Sequence, residues 1–444
     1  MADNAFAPLT PLEPLLDKCV HCGFCLPTCA SYRVLASEMD SPRGRIHTLK
    51  AIEAGELTLD ATVASHFDSC LGCFACVTAC PASVRYDQLI EAVRPQLNAP
   101  ELRSPAQRAL RRLLLTLLPY PRRLRALLAP LAPYAGSALQ GWLRRQGWAA
   151  WLGPELQAME ALLPALPAGA FGPDPSGVMP ARGPRRARVG LVLGCVQRVF
   201  DPAVNAATLR VLQANGIEVV LPEGQGCCGA VTHHQGDLAG TGALAADLAA
   251  RFRAIAERHG PLDAVLVAAS GCGHTLKHYA TLLPAGDAGL PAPVLDVHEF
   301  LDQLGLADDF RAALRPLPLP DGSPSRPERP LVIAYHDACH MIHGQGIQRQ
   351  PRQLLQAIPH VQLREATEAG VCCGSAGIYN LVQPEEAAAL GRLKADDLTG
   401  TGADLAASAN IGCTLQLRRH LADAPRPIPV LHPLELLDRS AALR

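Results

Sequence analysis

The chain has 444 residues, with 40 lysines and arginines against 41 acidic residues, and a net charge of −1. This length allows two to four domains, and the balanced charge offers no basic field for nucleic acid. The sequence contains 16 cysteines, begins without an export signal and has no apolar run long enough to cross a membrane. We therefore expect a cytoplasmic protein whose cysteines hold metal or carry out redox chemistry.

Residues 1–100 contain two cysteine runs with the same spacing, C-x2-C-x2-C-x3-C, and Pro81 follows the second run. This spacing is typical of a two-cluster ferredoxin, in which the fourth cysteine of each run binds the other cluster. The sequence thus predicts two [4Fe-4S] clusters, one held by Cys19, Cys22, Cys25 and Cys80 and the other by Cys29, Cys70, Cys73 and Cys76. Structural zinc and disulfides are the alternatives.

Helices are predicted around these runs. Ser41 followed by Pro42 is typical of a helix start, and residues 86–94 also have a helical pattern. We therefore expect a mainly helical ferredoxin module. Arg43 and Arg45 would either balance the negative charge of a cluster or lie on a solvated helix start.

Residues 101–187 change in character. As far as residue 165 they are rich in leucine and arginine, with Trp142, Trp148 and Trp151, which indicates amphipathic helices broken by prolines. Such helices pack on their own chain, lie on a membrane surface or dock a partner. Packing on their own chain is the favoured alternative. Residues 165–187 are rich in proline and glycine and indicate a linker.

The remaining sequence is a repeat, residues 188–315 and 316–444. Each half has a short buried strand ending in a cysteine, a Cys-Cys-Gly doublet, and a second strand followed by another cysteine. Alternating strands and helices predict two duplicated cysteine-rich α/β (CCG) domains, which makes the whole chain a multidomain α+β and α/β protein. The carboxyl ends of parallel strands are where sites collect. The candidate cofactor-binding cysteines are Cys195, Cys227, Cys228 and Cys272 in the first half, and Cys339, Cys372, Cys373 and Cys413 in the second.

These repeated cysteines would hold further iron–sulfur clusters or another metal, whereas the plainer alternative is buried thiols without a ligand. Histidines crowd the same motifs and would be ligands, proton donors or packing residues: His233, His234, His274, His336, His340 and His343. Lys277 and Arg349 are weaker candidates for opposing cluster charge. The segment Gly224 to Gly229 matches G-x-G-x-x-G, but the second half lacks its first glycine, so a dinucleotide or flavin site is rejected.

Taken together, the motifs resemble those of the iron–sulfur subunit family of glycolate oxidase (glycolate dehydrogenase), which is related to heterodisulfide reductase-type CCG proteins. The resemblance is carried by the ferredoxin runs, the paired CCG motifs, Ser41-Pro-Arg-Gly-Arg-Ile46, His336-Asp-Ala-Cys339-His340 and Cys372-Cys-Gly-Ser-Ala-Gly-Ile-Tyr-Asn380. In the heterodisulfide reductase relatives each CCG domain ends in C-x2-C. Here Ala269 and Asn410 replace the earlier cysteine, so a site of five thiolates is not available.

The resemblance implies an electron-transfer subunit. A partner subunit containing FAD would oxidise glycolate to glyoxylate, and this chain would pass the electrons to a quinone or another acceptor, with its complex on the inner face of the cell membrane. Alternatives are the same role beside a lactate or glycerol-3-phosphate dehydrogenase, a disulfide reductase acting at a CCG-bound cluster, and a zinc-binding scaffold. No nucleic-acid partner is expected.

Overall fold

The computed structural model describes residues 12–443. The segment before residue 12, where an export signal would lie, is outside the described residues. Within the described part, a helical N-terminal module is followed by a helical connecting segment and then by two sheets flanked by helices. None of the described helices combines the length and the apolar character needed to cross a membrane.

The N-terminal module is helical, as predicted. Its third helix begins at Pro42 because the Ser41 side chain accepts a hydrogen bond from the Gly44 N–H at 3.0 Å, which caps the first turn. The module packs around a core that includes Phe67 and Leu89. Its helices are α1 Glu13–Leu16, α2 Ala30–Leu35, α3 Pro42–Glu53, α4 Ala61–Asp68, α5 Ala75–Ala79 and α6 Tyr86–Val93.

The connecting segment forms four α-helices, α7 Pro105–Leu117, α8 Pro121–Leu128, α9 Ala138–Arg145 and α10 Pro154–Leu162. Their apolar side chains are divided between two environments. Leu124 and Leu128 are buried against Val199 of the following domain, whereas Leu113 and Leu127 remain about half exposed. The segment therefore packs on its own chain, as the sequence favoured, and still leaves part of its apolar surface open.

The first sheet contains five strands, β1 Gly177–Met179, β2 Ala187–Val192, β3 Ile217–Leu221, β4 Ala264–Val267 and β5 Val294–Asp296, in the order β1-β3-β2-β4-β5. All pairs are parallel except β1 with β3. Strand β1 lies in the segment that the sequence indicated as a linker, where it pairs with the edge of β3. The helices are α11 Gln197–Phe200, α12 Pro202–Ala214, α13 Ala230–His234, α14 Leu238–His259, α15 Ser270–Lys277, α16 Tyr279–Leu282, α17 Val297–Leu304 and α18 Asp308–Ala313.

The second sheet repeats the parallel part of the first. Its strands are β6 Leu331–His336, β7 Val361–Arg364, β8 Leu405–Ser408 and β9 Val430–Leu431, in the order β7-β6-β8-β9. Its helices are α19 Cys339–Gln345, α20 Arg349–Gln356, α21 Tyr379–Val382, α22 Pro384–Gly400, α23 Ile411–Ala422 and α24 Pro433–Ser440. The same strand order in both halves confirms the predicted duplication.

The two sheet domains share one apolar core and bond directly to each other. Helix α12 packs on α24, and α17 packs on α20. The Ser270 N–H donates to the Ala409 carbonyl at 3.1 Å, and His432 bonds the Ala268 carbonyl at 2.9 Å. The bonded residues follow β4 in the first sheet and β8 and β9 in the second, so the carboxyl ends of the two sheets lie next to each other.

Candidate metal centres

The first N-terminal cysteine set surrounds a small cavity. Its lining includes Cys19, Cys22 and Cys25 from one loop and Cys80 from the other run. The loop turns its thiols inward through left-handed backbone at His21 (φ 54°) and Gly23 (φ 88°). Cys76 of the second set also borders this void. The four thiols of the first set match the donor set of a [4Fe-4S] cluster.

The second N-terminal set is built in the same way. Gly72 (φ 57°) and Phe74 (φ 63°) repeat the left-handed turns at the matching positions of the loop. Burial raises the pKa of the Cys76 thiol, and the neighbouring thiols of Cys73, Cys70 and Cys29 raise it further. The structure thus brings together the cysteines that the sequence grouped. Each set contains one cysteine from the other run, and Cys29 of the first run belongs to this second set.

The cysteines of the first sheet domain come from three strand ends. Cys195 follows β2, the doublet Cys227 and Cys228 follows β3, and Cys272 lies in the first turn of α15 after β4. The sulfur atoms of Cys195 and Cys227 are 3.2 Å apart. That contact raises the pKa of Cys195, and burial adds to the shift. Gly229 (φ 83°) turns the chain directly after the doublet and starts α13.

The second sheet domain repeats this arrangement with one addition. A hydrogen bond with Cys372 raises the pKa of Cys339, with burial as the next cause, and Cys373 interacts with Cys413. His336, at the end of β6, joins them: one of its ring nitrogens and the sulfurs of Cys373 and Cys413 all lie within 4.8 Å of one another. Asn410 places its Nδ2 atom 3.4 Å from the Cys413 sulfur. All sixteen cysteines are free of disulfides.

The chain matches three protein families along its length. Residues 15–84 match the 4Fe-4S dicluster domain, residues 189–277 and 333–418 each match the cysteine-rich CCG domain, and residues 106–163 match the linker region of the glycolate oxidase iron–sulfur subunit.

Curated relatives cover nearly the whole chain. A probable glycolate oxidase iron–sulfur subunit of Bacillus subtilis is 34% identical over 411 residues, which are 91% of this chain and 89% of the relative. The glycolate oxidase iron–sulfur subunit of Escherichia coli is 34% identical over 430 residues, 96% and 95% of the two chains.

The chain belongs to the glycolate oxidase iron–sulfur subunit family. A more distant relative, one of the subunits of a fumarate reductase (CoM/CoB) from Methanothermobacter marburgensis, is 32% identical over 253 residues, 56% of this chain and 46% of the relative. The predicted family, the multidomain fold and the presence of iron–sulfur clusters are thereby confirmed. Relatives that are named as subunits also imply a partner catalytic chain.

In this iron–sulfur subunit the second N-terminal set lies against the second CCG domain. Burial raises the pKa of the Cys73 thiol, and the next cause is the nearby thiol of Cys339. One apolar cluster contains both Leu71 and Cys372. His340, the residue after Cys339, bonds the Gly72 carbonyl at 2.9 Å. The loop of one candidate centre is therefore in direct contact with the loop of another.

Both CCG cysteine sets of the subunit open onto one cavity of about 540 Å³. Its inner wall also carries His233, His234, His274 and His340, and burial lowers the pKa of His340 to about 4 and of His274 to about 3. These imidazoles are therefore neutral at physiological pH. The outer wall is apolar and comes from the connecting helices; it includes Leu113, Leu117, Leu124, Leu127, Leu131, Trp148 and Leu163.

Four basic residues lie near the cysteines. Arg45 is buried beside Cys29 and Cys70, and Arg43 donates to the His21 carbonyl at 3.2 Å, so both arginines border the N-terminal centres. Sequence reasoning missed Arg198, which donates to the Gln225 carbonyl just before the first doublet. It also missed buried Lys394, whose charge interacts with the second doublet.

The two weaker charge candidates lie elsewhere. Lys277 pairs with Glu299 at 2.7 Å, and Arg349 pairs with Asp302 at 3.1 Å on the surface. Neither contact is with a cysteine. The position of Arg198, three residues after Cys195, was the available signal for the residue that does approach a doublet.

Proposed function

We propose that this chain carries electrons within a glycolate dehydrogenase complex, from an FAD-containing partner that oxidises glycolate to glyoxylate toward a quinone. The chief observation in favour is the contact between the second N-terminal cysteine set and the second CCG set through Gly72 and His340. A flavin gives up two electrons and iron–sulfur clusters, when bound, accept one at a time. A chain of adjoining centres suits that task.

We assign the cluster ligands as the sequence grouped them. Cys19, Cys22, Cys25 and Cys80 hold one [4Fe-4S] cluster, and Cys29, Cys70, Cys73 and Cys76 hold the other. Further iron–sulfur centres are held by Cys195, Cys227, Cys228 and Cys272 and by Cys339, Cys372, Cys373 and Cys413. The left-handed turns and the inward thiols described above support this assignment.

The protein's own residues hold these centres in series. His234 and His340 bond the adjacent carbonyls of Leu71 and Gly72, each at 2.9 Å, and so fix the ferredoxin loop on the CCG domains. Arg198 and Lys394 supply positive charge beside the thiolate-rich doublets. The side chains of both doublets are buried, with 1–2% of their surface exposed.

A quinone is the acceptor that the cavity suits best. Its outer wall is leucine-rich and accommodates an isoprenoid tail, whereas its inner wall presents neutral imidazoles to a polar ring beside the cysteine sets that would hold the clusters. Leu113 and Leu127 line the cavity and are about half exposed, so they form an apolar rim. We place this rim against the inner face of the cell membrane, because quinones are dissolved in the membrane.

The assignment of catalysis to the partner is tested with the purified chain, alone and with the flavoprotein. We expect no glycolate oxidation by the chain alone with a dye acceptor, and cluster reduction by glycolate once the flavoprotein is added. Glycolate oxidation by the isolated chain, or reduction by lactate or glycerol 3-phosphate in preference to glycolate, contradicts the proposal.

The quinone route is tested with two exposed leucines. Leu127→Asp places a charge in the cavity wall, whereas Leu139→Asp is a matched control on α9, outside the cavity lining. We expect the first variant to lose quinone reduction while it keeps dye reduction, and the second to keep both. Equal quinone reduction in the two variants contradicts a route through this cavity.

A further inference from the structure

His336 is a buried side chain without a hydrogen-bond partner. It is 2% exposed, and neither Nδ1 nor Nε2 has a partner among the residues that the structure describes. A buried polar group left without a partner destabilises a fold, because its desolvation is not compensated. Such a group in a native structure is explained by local strain, by a redox or catalytic role, or by an ordered water or ion.

The surroundings of His336 favour an ion. A ring nitrogen of His336 and the sulfurs of Cys373 and Cys413 lie within 4.8 Å of one another, and all three side chains are buried. A metal that binds sulfur at about 2.3 Å and nitrogen at about 2.0 Å spans donors that lie roughly 4 Å apart. Small side-chain rotations therefore bring the three donors onto one ion.

The other histidines of the same motif are already engaged. His340 bonds the Gly72 carbonyl, and His343 uses both ring nitrogens, one with Thr78 at 2.9 Å and one with the Gly370 carbonyl at 2.8 Å. His336 is thus the histidine of this motif whose nitrogens remain available to the second CCG site.

The duplicate half has no such donor. Val192 ends β2 three residues before Cys195, just as His336 ends β6 three residues before Cys339. Val192 is 1% exposed and carries no polar atom. The two CCG sites, which share the same cysteine pattern, therefore differ in the chemistry of their nearest side chains.

We propose that an imidazole nitrogen of His336 binds iron in the second CCG site, together with Cys373 and Cys413, so that this centre has nitrogen and sulfur ligands whereas the first has thiolates alone. The proposal rests on the proposed function, in that the metal is iron of an iron–sulfur cluster. Because the imidazole is neutral, His336 adds a ligand without the negative charge that a thiolate at this position would bring, and that charge would lower the reduction potential of the cluster.

The test uses the full-length chain purified anaerobically, with and without ¹⁵N-labelled histidine. Pulsed EPR is recorded at a potential where the second CCG centre is paramagnetic. His336→Val introduces the residue found in the first half, and His336→Cys supplies a thiolate in place of the nitrogen. His420→Gln is the control, since His420 is a buried histidine of the same domain that bonds Gln416.

We expect a nitrogen coupling that changes with histidine labelling, is lost in both His336 variants and remains in His420→Gln. The Cys variant is expected to keep its iron and to show a lower midpoint potential at one centre. A wild-type centre without histidine coupling, persistence of that coupling in His336→Val, or zinc at this site overturns the proposal. A wild-type protein with only about eight irons, those of the ferredoxin clusters, overturns the His336 proposal but not the proposed electron-transfer function. A protein without iron contradicts both proposals.

Discussion

His340 donates from Nε2 to the carbonyl oxygen of Gly72 across 2.9 Å, which joins the residue after Cys339 to the loop between Cys70 and Cys73. A carbonyl only accepts hydrogen bonds, so Nε2 carries the proton. The same imidazole stacks on Phe74, with ring centroids 5.0 Å apart and planes 12° from parallel. One side chain thus holds the ferredoxin loop by both a polar and an aromatic contact.

His340→Phe is expected to keep the ring stack and remove the donor. The Gly72 carbonyl then loses a buried partner, which weakens this interface by about 1–3 kcal/mol. We expect unchanged iron content and slower reduction of the CCG centres after glycolate is mixed with the complex, measured by freeze-quench EPR. His278→Gln is the control, since the side chain of exposed His278 bonds the nearby His274 carbonyl. Equal rates in the two variants would show that this hydrogen bond has no part in electron transfer.

The crossing of cysteines between the two runs gives opposite outcomes for two substitutions. Cys80→Ser is expected to disturb the cluster of Cys19, Cys22 and Cys25, whereas Cys29→Ser disturbs the cluster of Cys70, Cys73 and Cys76. Each loses at most about four irons, because each cluster holds four. EPR of the remaining cluster identifies which one was affected. If Cys80→Ser disturbs the cluster of its own run, the crossed assignment is wrong.

Arg45 provides a buried charge beside the second N-terminal set. Its guanidinium donates to Ser69 Oγ at 2.7 Å and lies 3.8 Å from Asp40. Arg45→Met removes the buried arginine charge beside Asp40, which keeps its contacts with His66 and Ser69. We expect a loss of about 3 kcal/mol in the free energy of unfolding. Removal of the positive charge also lowers the reduction potential of the neighbouring cluster.

A redox titration and a denaturant series measure these two effects. Arg45→Lys keeps the charge and is expected to retain most of the potential. Arg43→Gln is a control from the same helix, because Arg43 is partly exposed and pairs with exposed Glu38. If the reduction potential falls as far in Arg43→Gln as in Arg45→Met, the charge of Arg45 has no specific effect on the cluster.

The fold and the cysteine sets could be predicted because their signals are local or repeated. The spacing of Cys19 to Cys29 fixes a loop, Ser41 and Pro42 fix a helix start, and the repeated doublets mark strand ends of a duplicated sheet. The structure brings these cysteines together, and the assignment of each cysteine to a particular cluster stays a prediction.

The neighbours of the second doublet could not be predicted in the same way. His336 ends β6, Lys394 lies in the middle of α22 and Cys413 begins α23, so their proximity depends on how separate elements pack. Strand β1 was missed because its three residues lie among prolines and glycines, and pairing with β3 stabilises it more than its own sequence does.

Lys394 lies on α22 and Cys413 on α23, and these two helices pack on each other. Their packing depends on the absence of a side chain at Gly391. A Cβ atom at Gly391 would lie 2.9 Å from Gln416 Nε2 and would overlap the His420 ring. Gln416 cannot move aside freely, because it donates to the Ala387 carbonyl at 2.8 Å and accepts from Asn380 at 3.1 Å. We expect Gly391→Ala to lower the free energy of unfolding by about 1–3 kcal/mol through overpacking.

Gly400 ends the same helix and is its matched control. A Cβ there meets no atom within 4 Å, so Gly400→Ala adds helix propensity without a clash and is expected to be neutral or slightly stabilising. Thermal unfolding and iron content are measured for both variants. Since α23 begins beside Cys413, the Gly391 variant is also expected to lose iron from the second CCG site before the N-terminal clusters are affected. If both substitutions leave unfolding and iron content unchanged, the close approach of α22 and α23 does not organise this site.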